Sequence, residues 1–356
     1  MKSMQDYVEL EPQFYQSVFE NREELFKDFV DRAVQIDYKS VVIYATGSSS
    51  NAAFGARPFI SKCLNVPVYV EEPSFNATYM LRPQKETLYI AISQGGHSYS
   101  TKHMIERLQA DDMNVFVMTT DLNSPIGKIA KNHVDMGMPI EEMPYVTAGY
   151  SITILDLMLM ALQLGAAKSS LSATEVSAYL DEIKTVLANL EEVVLRSKRW
   201  VERVKNKYLQ ANRMIFIGYG AAYGVAREGE TKITETVRIT AFGKELEEYM
   251  HGPYLGMHPT DSVIFIEPDG QLQERAIKLK HFLDRHGVDV TVISANGDDK
   301  RVIGKLGFNL NVDELLTPLF MTIPIHLLAF KLSALRENDL TQSAYPDFDE
   351  ITGSKI

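Results

Sequence analysis

The sequence predicts an α/β protein made of two tandem, doubly wound parallel-sheet units, each a three-layer αβα sandwich. Three observations carry this. Short apolar, β-branched runs alternate with longer helix-like segments, the rhythm of βαβ units. The runs of the first half return in the same order in the second half at nearly one spacing. The stretch between the halves, residues 172–209, is charged and helical in pattern and lacks Gly and Pro, so it reads as a helical connector.

In the first half the strands are "VVIYATG" (41–47), "VPVYVEE" (66–72), "TLYIAIS" (87–93) and "VFVMTT" (115–120). Such short continuous apolar runs are what strands buried on both faces look like. Residues 99–111 carry a helical pattern between two of them. In the second half, "RMIFIGYG" (213–220) matches the first strand, and aligning Gly47 with Gly220 gives an offset of 173. "SVIFIEP" (262–268) matches the third, with Ser93 on Pro268 and an offset of 175. "DVTVISAN" (289–296) matches the fourth, again at 175, with Asp121 on Asn296. The expected boundaries are residues 1–170 for N-terminal helices plus the first unit, 171–210 for the connector, and 211–356 for the second unit with a C-terminal tail.

Composition narrows the class of partner. The chain has 356 residues, 45% hydrophobic and 23% charged, which is ordinary for a globular protein and ample for a core. Its net charge of −11 argues against nucleic acid, whose phosphate backbone demands clustered Lys and Arg. A small phosphorylated ligand is still allowed, because backbone N–H groups and hydroxyls can hold it. The single cysteine, Cys63, makes neither an internal disulfide nor a multi-cysteine metal site and reads as a small buried hydrophobe. The N-terminus "MKSMQDYVELEP" is polar and acidic, unlike a signal peptide. The most apolar stretch, "SITILDLMLMALQLG" (151–165), is short and contains Asp156, so a buried helix is expected there. The expectation is a cytoplasmic protein with no membrane segment.

Ligands of open parallel sheets sit beyond the carboxyl ends of the strands. In the first unit those ends are "TGSSSN" (46–51) and "SQGGHS" (93–98), both rich in Ser and Gly and both followed by helical patterns. Helix N-termini offer free N–H groups and partial positive charge, and Gly lets a ligand approach the backbone. Two such loops at neighbouring strand ends point to an anion, foremost a phosphate. A pair of Ser-capped helices without ligand is the plainer alternative. "GYGAAYG" (218–224) is one residue off the dinucleotide spacing, and no G-x-x-x-x-G-K-[ST] loop occurs.

The second unit carries the titratable groups. In residues 226–253, Glu228, Lys232 and Glu235 are spaced by four and three, so one helical face can hold all three. A solvated surface charge ladder has the same spacing. His251 follows in "EEYMHGP", in a turn set by Gly-Pro, and histidine is the side chain best suited to moving protons near neutral pH.

Together these motifs resemble the SIS (sugar isomerase) family, with a flavodoxin-like αβα fold in tandem. The resemblance runs from about Val41 to Ala334 and is to the isomerase half of glucosamine-6-phosphate synthase and, more closely, to fructosamine- or glucosamine-type 6-phosphate deglycases. "ATGSSSN" and "SQGGHS" match the family's two phosphate loops, "EGETKITE" matches E-G-x-x-K-x-x-E, and "EEYMHGP" matches E-x-x-H-G-P. The resemblance implies that Ser49, Ser93, Gln94 and Ser98 hold a sugar phosphate, with Gly95 contributing its backbone N–H and Ser48 lying near the sugar hydroxyls. It implies that Glu235 moves a proton between C1 and C2, that Lys232 belongs to the same site together with Glu228, and that His251 assists ring opening from the neighbouring subunit of a homodimer or higher homo-oligomer. Three departures stand out. Gly95 replaces a Ser, His97 replaces a frequent Glu, and the tail "TQSAYPDFDEITGSKI" lacks the synthase's closing motif, leaving Lys355 as the tail's candidate lysine.

The leading expectation is a deglycase that cleaves a 6-phosphorylated sugar–amine adduct to an amine and a hexose 6-phosphate. It would need no metal and no organic cofactor, since the adduct's own nitrogen is the electron sink. With no glutaminase segment, ammonia release from glutamine is not expected of this chain alone. A ketose/aldose isomerase or an aminosugar-phosphate deaminase is the close alternative. A non-catalytic sugar-phosphate sensor is the other class, and it would have no use for Glu235, Lys232 and His251 together.

Overall fold

The computed structural model describes residues 1–80, 82–297 and 304–356. Helices α1 (Met4–Leu25) and α2 (Lys27–Ala33) precede β1 (Ser40–Tyr44), α3 (Gly47–Leu64), β2 (Val68–Glu71) and a single turn, α4 (Pro73–Phe75). Then come β3 (Thr87–Ile92), α5 (Tyr99–Ala110), β4 (Val115–Met118), α6 (Pro125–Ile129), β5 (Asn132–Val134) and α7 (Ala148–Ala167). The long α8 (Ala173–Leu209) leads to β6 (Arg213–Gly218), α9 (Ala222–Lys232), β7 (Thr240–Glu245), α10 (Leu246–Met250) and β8 (Ser262–Glu267). The chain continues through α11 (Gln273–Arg285), β9 (Asp289–Ser294), β10 (Leu306–Gly307), α12 (Pro318–Met321) and α13 (Ile323–Leu335), and a tail ends in α14 (Phe348–Thr352).

Two five-stranded sheets form, ordered β2-β1-β3-β4-β5 and β7-β6-β8-β9-β10, and every pairing is parallel. Counted within each repeat both orders are 2-1-3-4-5, the flavodoxin-like winding, so the doubly wound α/β expectation holds for both copies. The order reverses direction between β1 and β3 in one sheet and between β6 and β8 in the other, the place where such folds bind ligands. The central strands β3 and β8 are buried along their whole length, as their unbroken apolar runs require. Each repeat has its own apolar cluster, one around Tyr89, Met104 and Leu108, the other around Ile217, Phe265 and Leu283.

The apolar runs mark the strong strands to within three residues of their ends, the largest gap being at β1, which ends at Tyr44 where the run reaches Gly47, and they do not mark β5, β7 or β10. All three are edge strands. β7 reads poorly because it contains Gly243 and Lys244, yet Gly243 is required: a Cβ there would lie 2.3 Å from the Ala226 carbonyl oxygen of α9. Helix α7 is apolar all round and buried, as its composition demands. By length and hydropathy, Ala148–Ala167 and Glu314–Leu335 resemble membrane spans, but each is 83% buried within the fold and so serves as core. Cys63 is buried in α3.

Contacts divide the chain into two compact units. One comprises Met1–Pro12, Met143–Thr147 and Glu182–Thr341; the other comprises Gln13–Glu142, Ala148–Asp181 and Gln342–Ile356. The second sheet belongs to the former, and the first sheet and the C-terminal tail belong to the latter.

Candidate active site

In the first repeat both glycine- and serine-rich loops lie at the switch point, where β1 feeds α3 and β3 feeds α5. Helix α3 starts at Gly47, whose φ of +57° only glycine adopts without cost, and Thr46 provides no side-chain cap. The N-cap side chain thus makes no bond to the first turn of α3, and Ser48 and Ser49 lie half-buried in that turn. The second loop is built differently. Ser98 is the N-cap of α5: its Oγ accepts from the Thr101 N–H at 3.4 Å and the Thr101 hydroxyl at 3.0 Å. Ser93 is buried, and its backbone N–H donates to the Met118 carbonyl.

Gln94 is held from two sides. Its carbonyl accepts from the Thr119 hydroxyl (3.0 Å) and from the hydroxyl and N–H of Thr120 (both 2.9 Å). Its side-chain amide lies over Gly149 at the start of α7, where a Cβ would come 1.9 Å from Nε2. Gly95 is exposed and its carbonyl meets the His97 imidazole. The next residue, Gly96, has φ +69° and is pressed against Ser124. Thr119, Thr120 and Gly149 support the loop and were not singled out from sequence.

The tail returns to this same loop. The Tyr99 N–H donates to the Ser354 carbonyl (3.2 Å), and the Ile356 N–H donates to the His97 carbonyl (3.1 Å). Ser98 and Lys355 form an isolated antiparallel bridge between them. Lys355 is exposed, with its ammonium 3.3 Å from Asp349.

In the second repeat, Glu228 and Lys232 lie on α9 and Glu235 on the π-helical turn Ile233–Val237 that continues it. The wider turn is seen directly in the Arg238 N–H, which reaches back five residues to the Ile233 carbonyl at 3.0 Å. Such π-turns recur at functional sites because they re-aim a side chain without ending the helix. Lys232 is buried between the two carboxylates, 3.3 Å from Glu228 and in a shorter contact with Glu235. The three share one face, as their spacing implies, but they are not a solvated ladder: Glu228 is fully buried, and only the Glu235 side chain, 34% exposed, opens outward. Burial works against the Lys232 charge, yet Glu228 and Glu235 outweigh it and hold the ammonium well above the usual lysine range.

Sequence reasoning did not select His326. On α13, fully buried, its Nε2 lies 3.4 Å from the Glu228 carboxylate. Burial first, then nearby Lys232, keeps its pKa below the ordinary histidine value, against the pull of Glu228. One polar residue inside "PIHLLAF" was the available signal.

His251 caps the C-terminus of α10 and is exposed. Its Nδ1 lies 2.7 Å from the Glu247 carbonyl, which can only accept, so Nδ1 carries a proton and donates there, leaving Nε2 outside that bond. Arg275 grips Glu247 through two bonds of 2.7 and 2.9 Å and holds that carboxyl below its usual range, anchoring the turn.

The arrangement defines a class of protein: a duplicated 2-1-3-4-5 parallel fold, with hydroxyl- and glycine-rich loops at the switch point of one repeat and a buried carboxylate–ammonium network in the other. The SIS domain model matches residues 36–164 and 207–335, and the chain belongs to the SIS domain family. Among curated relatives, glutamine--fructose-6-phosphate aminotransferase [isomerizing] of Pseudomonas syringae pv. tomato is 24% identical over 314 residues, covering 85% of this chain and 50% of that protein. The chain thus spans about half the length of the curated relatives it matches. Among solved structures, a candidate phosphosugar isomerase of Clostridium difficile 630 superposes with a TM-score of 0.90 at 24% identity, over 100% of this chain and 99% of that one. The C-terminal domain of glucosamine-fructose-6-phosphate aminotransferase from Francisella tularensis gives a TM-score of 0.83 at 20% identity, over 96% and 98%.

Proposed function

We propose that the protein is a phosphosugar-processing enzyme, and specifically a deglycase for a 6-phosphorylated fructosamine or glucosamine-type adduct. The observation that carries this is Lys232, buried and clamped between two carboxylates of which Glu235 alone opens outward. A carboxylate that takes a proton from carbon gains from a fixed neighbouring cation that stabilises the developing oxyanion.

In this reading the substrate phosphate is held at Ser49, Ser93, Gln94 and Ser98 with the Gly95 N–H, and Ser48 lies at the sugar hydroxyls. The sugar ring opens with His251 Nε2 as proton acceptor, donated from a second subunit of a homodimer. Glu235 takes the C1 proton of a fructosamine and returns it to C2, converting the ketosamine to a C1 imine. Water adds to the imine carbon, the C1–N bond breaks, and the amine leaves with hexose 6-phosphate as the other product. Electrons and protons balance without an external oxidant or metal. Lys355, on the tail that bridges Ser98, is the cation nearest that loop in the tail sequence. The setting is the cytoplasm, where phosphorylated sugars are found.

The same proton transfer serves a ketose/aldose isomerase or an aminosugar-phosphate deaminase, and the isomerizing curated relatives favour keeping that reading. A coupled assay of hexose 6-phosphate release separates them. The panel is 6-phosphorylated fructose-lysine, fructose-asparagine and glucose-lysine-type adducts with glucosamine 6-phosphate, using wild type and Glu235→Gln. Release from an adduct, lost in Glu235→Gln with ligand binding retained, supports the deglycase. Release from glucosamine 6-phosphate alone supports the deaminase. Thermal stabilisation by sugar phosphates with no turnover, equal in both proteins, would overturn the catalytic reading in favour of a sensor.

A further inference from the structure

We infer that His326 is a positioning residue for the Glu235–Lys232 pair, acting through Glu228 as a neutral Nε2–H donor. The inference rests on Glu235 being the proton-transferring group, but its test below does not need turnover.

The argument starts from burial. Glu228, Lys232 and His326 are each at most 1% exposed, on two helices, α9 and α13, that pack together. Three ionisable groups in one dry pocket must settle into a single proton arrangement, because isolated charge there is very costly. Lys232 is shared: one carboxylate, Glu228, is buried, and the other, Glu235, is open. The ionisable groups that these contacts place around Glu228 are Lys232 from its own helix and His326 from α13. Around Lys232 they are Glu228 and Glu235. Glu230, on the same helix, is committed elsewhere, accepting from the Gly243 N–H of β7. Arg227 is near Tyr223.

Two tautomers of His326 are conceivable. With Nε2 bare, a lone pair would face a carboxylate oxygen at 3.4 Å and repel it. With Nε2–H, the imidazole donates to Glu228 and takes part of its negative charge. A charged imidazolium is disfavoured by complete burial and by the ammonium of Lys232 in the same pocket. The neutral Nε2–H form is therefore the consistent state. Its consequence reaches the open end of the network. The more of the Glu228 charge His326 satisfies, the less Glu228 competes for Lys232, and the more fully Lys232 is left to Glu235. Loss of the donor would draw Lys232 toward Glu228 and make Glu235 easier to protonate.

The test uses full-length protein with ¹⁵N-histidine and ¹³C-carboxyl glutamate labels, with signals assigned by His326→Gln and Glu235→Gln. His326 should show the neutral Nε2–H pattern from pH 5.5 to 8; an Nδ1–H tautomer or a protonated ring in that range overturns the inference. In His326→Leu, the Glu235 carboxyl titration should move to higher pH by about half a unit, the scale expected when one hydrogen bond to a neighbouring charge is lost. His326→Gln, whose amide can still donate, should restore it. A folded His326→Leu with an unmoved Glu235 titration also overturns the inference. If His326→Leu does not fold, the wild-type tautomer decides. Should Glu235→Gln keep sugar-phosphate turnover while His326 still moves the titration, the functional reading fails and the coupling stands.

Discussion

Replacing Lys232 by Met is the most revealing single perturbation of this molecule. Met keeps the length and apolar stem of lysine and removes only the ammonium, so packing changes little. What remains is Glu228, fully buried, with its ionic partner gone. Removing one member of a buried pair costs roughly 3–5 kcal/mol, because the other charge is left uncompensated. The Lys232–Glu235 contact adds little, since Glu235 is 34% exposed and water replaces the lost partner there. The expected cost is therefore about 3 kcal/mol, near the low end of that range. In Glu228→Gln/Lys232→Met no orphan charge remains, and the cost should fall to about 1 kcal/mol. The assay is urea unfolding by circular dichroism at pH 7 on wild type, both single variants and the double. The pH dependence follows from the raised Lys232 pKa. A raised folded-state pKa gives stability that is complete below the unfolded lysine value and is lost only as pH climbs through the folded one. The Lys232→Met deficit should accordingly be the same at pH 7 and pH 9. A deficit below about 1 kcal/mol, or single costs that simply add in the double variant, would refute the claim that the pair is buried and coupled.

Two further outcomes are expected. Gly149→Ala places a Cβ where the Gln94 amide now lies, so Gln94 must swing away; sugar-phosphate affinity by calorimetry should drop on the order of tenfold, one hydrogen bond's share, with the fold retained. Asp156 is fully buried in α7, and burial first, then Asp135, raises its carboxyl well above the usual range. Below about pH 3.9 both folded and unfolded states hold this proton, and above it only the unfolded state readily releases it, so stability falls as pH rises toward the folded value. Asp156→Asn should therefore stabilise the protein by about 1–3 kcal/mol at pH 7, with the gain vanishing near pH 4 in thermal melts. An equal gain at both pH values would disprove the titration argument.

The central strands were legible because burial on both faces leaves an unbroken apolar run, and the repeat was legible because those runs recur. Edge strands carry no such mark: β7 needs Gly243 for the approach of α9, and glycine reads as a break. The spacing of Glu228, Lys232 and Glu235 placed them on one face, but spacing cannot distinguish a solvated face from a buried one. Here α13 supplies the cover, and α13 lies about 100 residues away in the chain. His326 was invisible for the same reason, since its meaning depends on which carboxylate meets it. Ser98 shows the converse ambiguity. A serine at the start of a helix can cap it, bind a ligand or do both: the bond to Thr101 shows the cap on α5, and the Ser98 O–H can still donate to an anion.

Duplication gave the molecule two switch points, and their strand ends have opposite electrostatic character. In the first repeat the ends carry neutral donors, with Ser48 and Ser49 after β1 and Ser93 to Ser98 after β3. In the second, β8 ends on Glu267, and Asp269 follows, its carbonyl accepting from the Tyr219 hydroxyl at 2.8 Å. The carboxylate of Glu314 lies against Gly270, so close that a Cβ there would meet Oε2 at 1.9 Å. Burial, then Glu267, Asp269 and Glu314, push the Tyr219 phenol far above its usual range, which reports the negative potential of the spot. A dianionic phosphate would meet repulsion at this switch point where the other offers helix N–H groups. The expected stoichiometry is one sugar phosphate per chain by calorimetry. Glu314→Gln should leave it at one, because Asp269 remains, together with Glu267, whose charge Lys280 offsets in part. Two equivalent sites in the wild type would show that charge is not what separates the two repeats, whereas a second site gained only in Glu314→Gln would show that Glu314 by itself supplies the barrier.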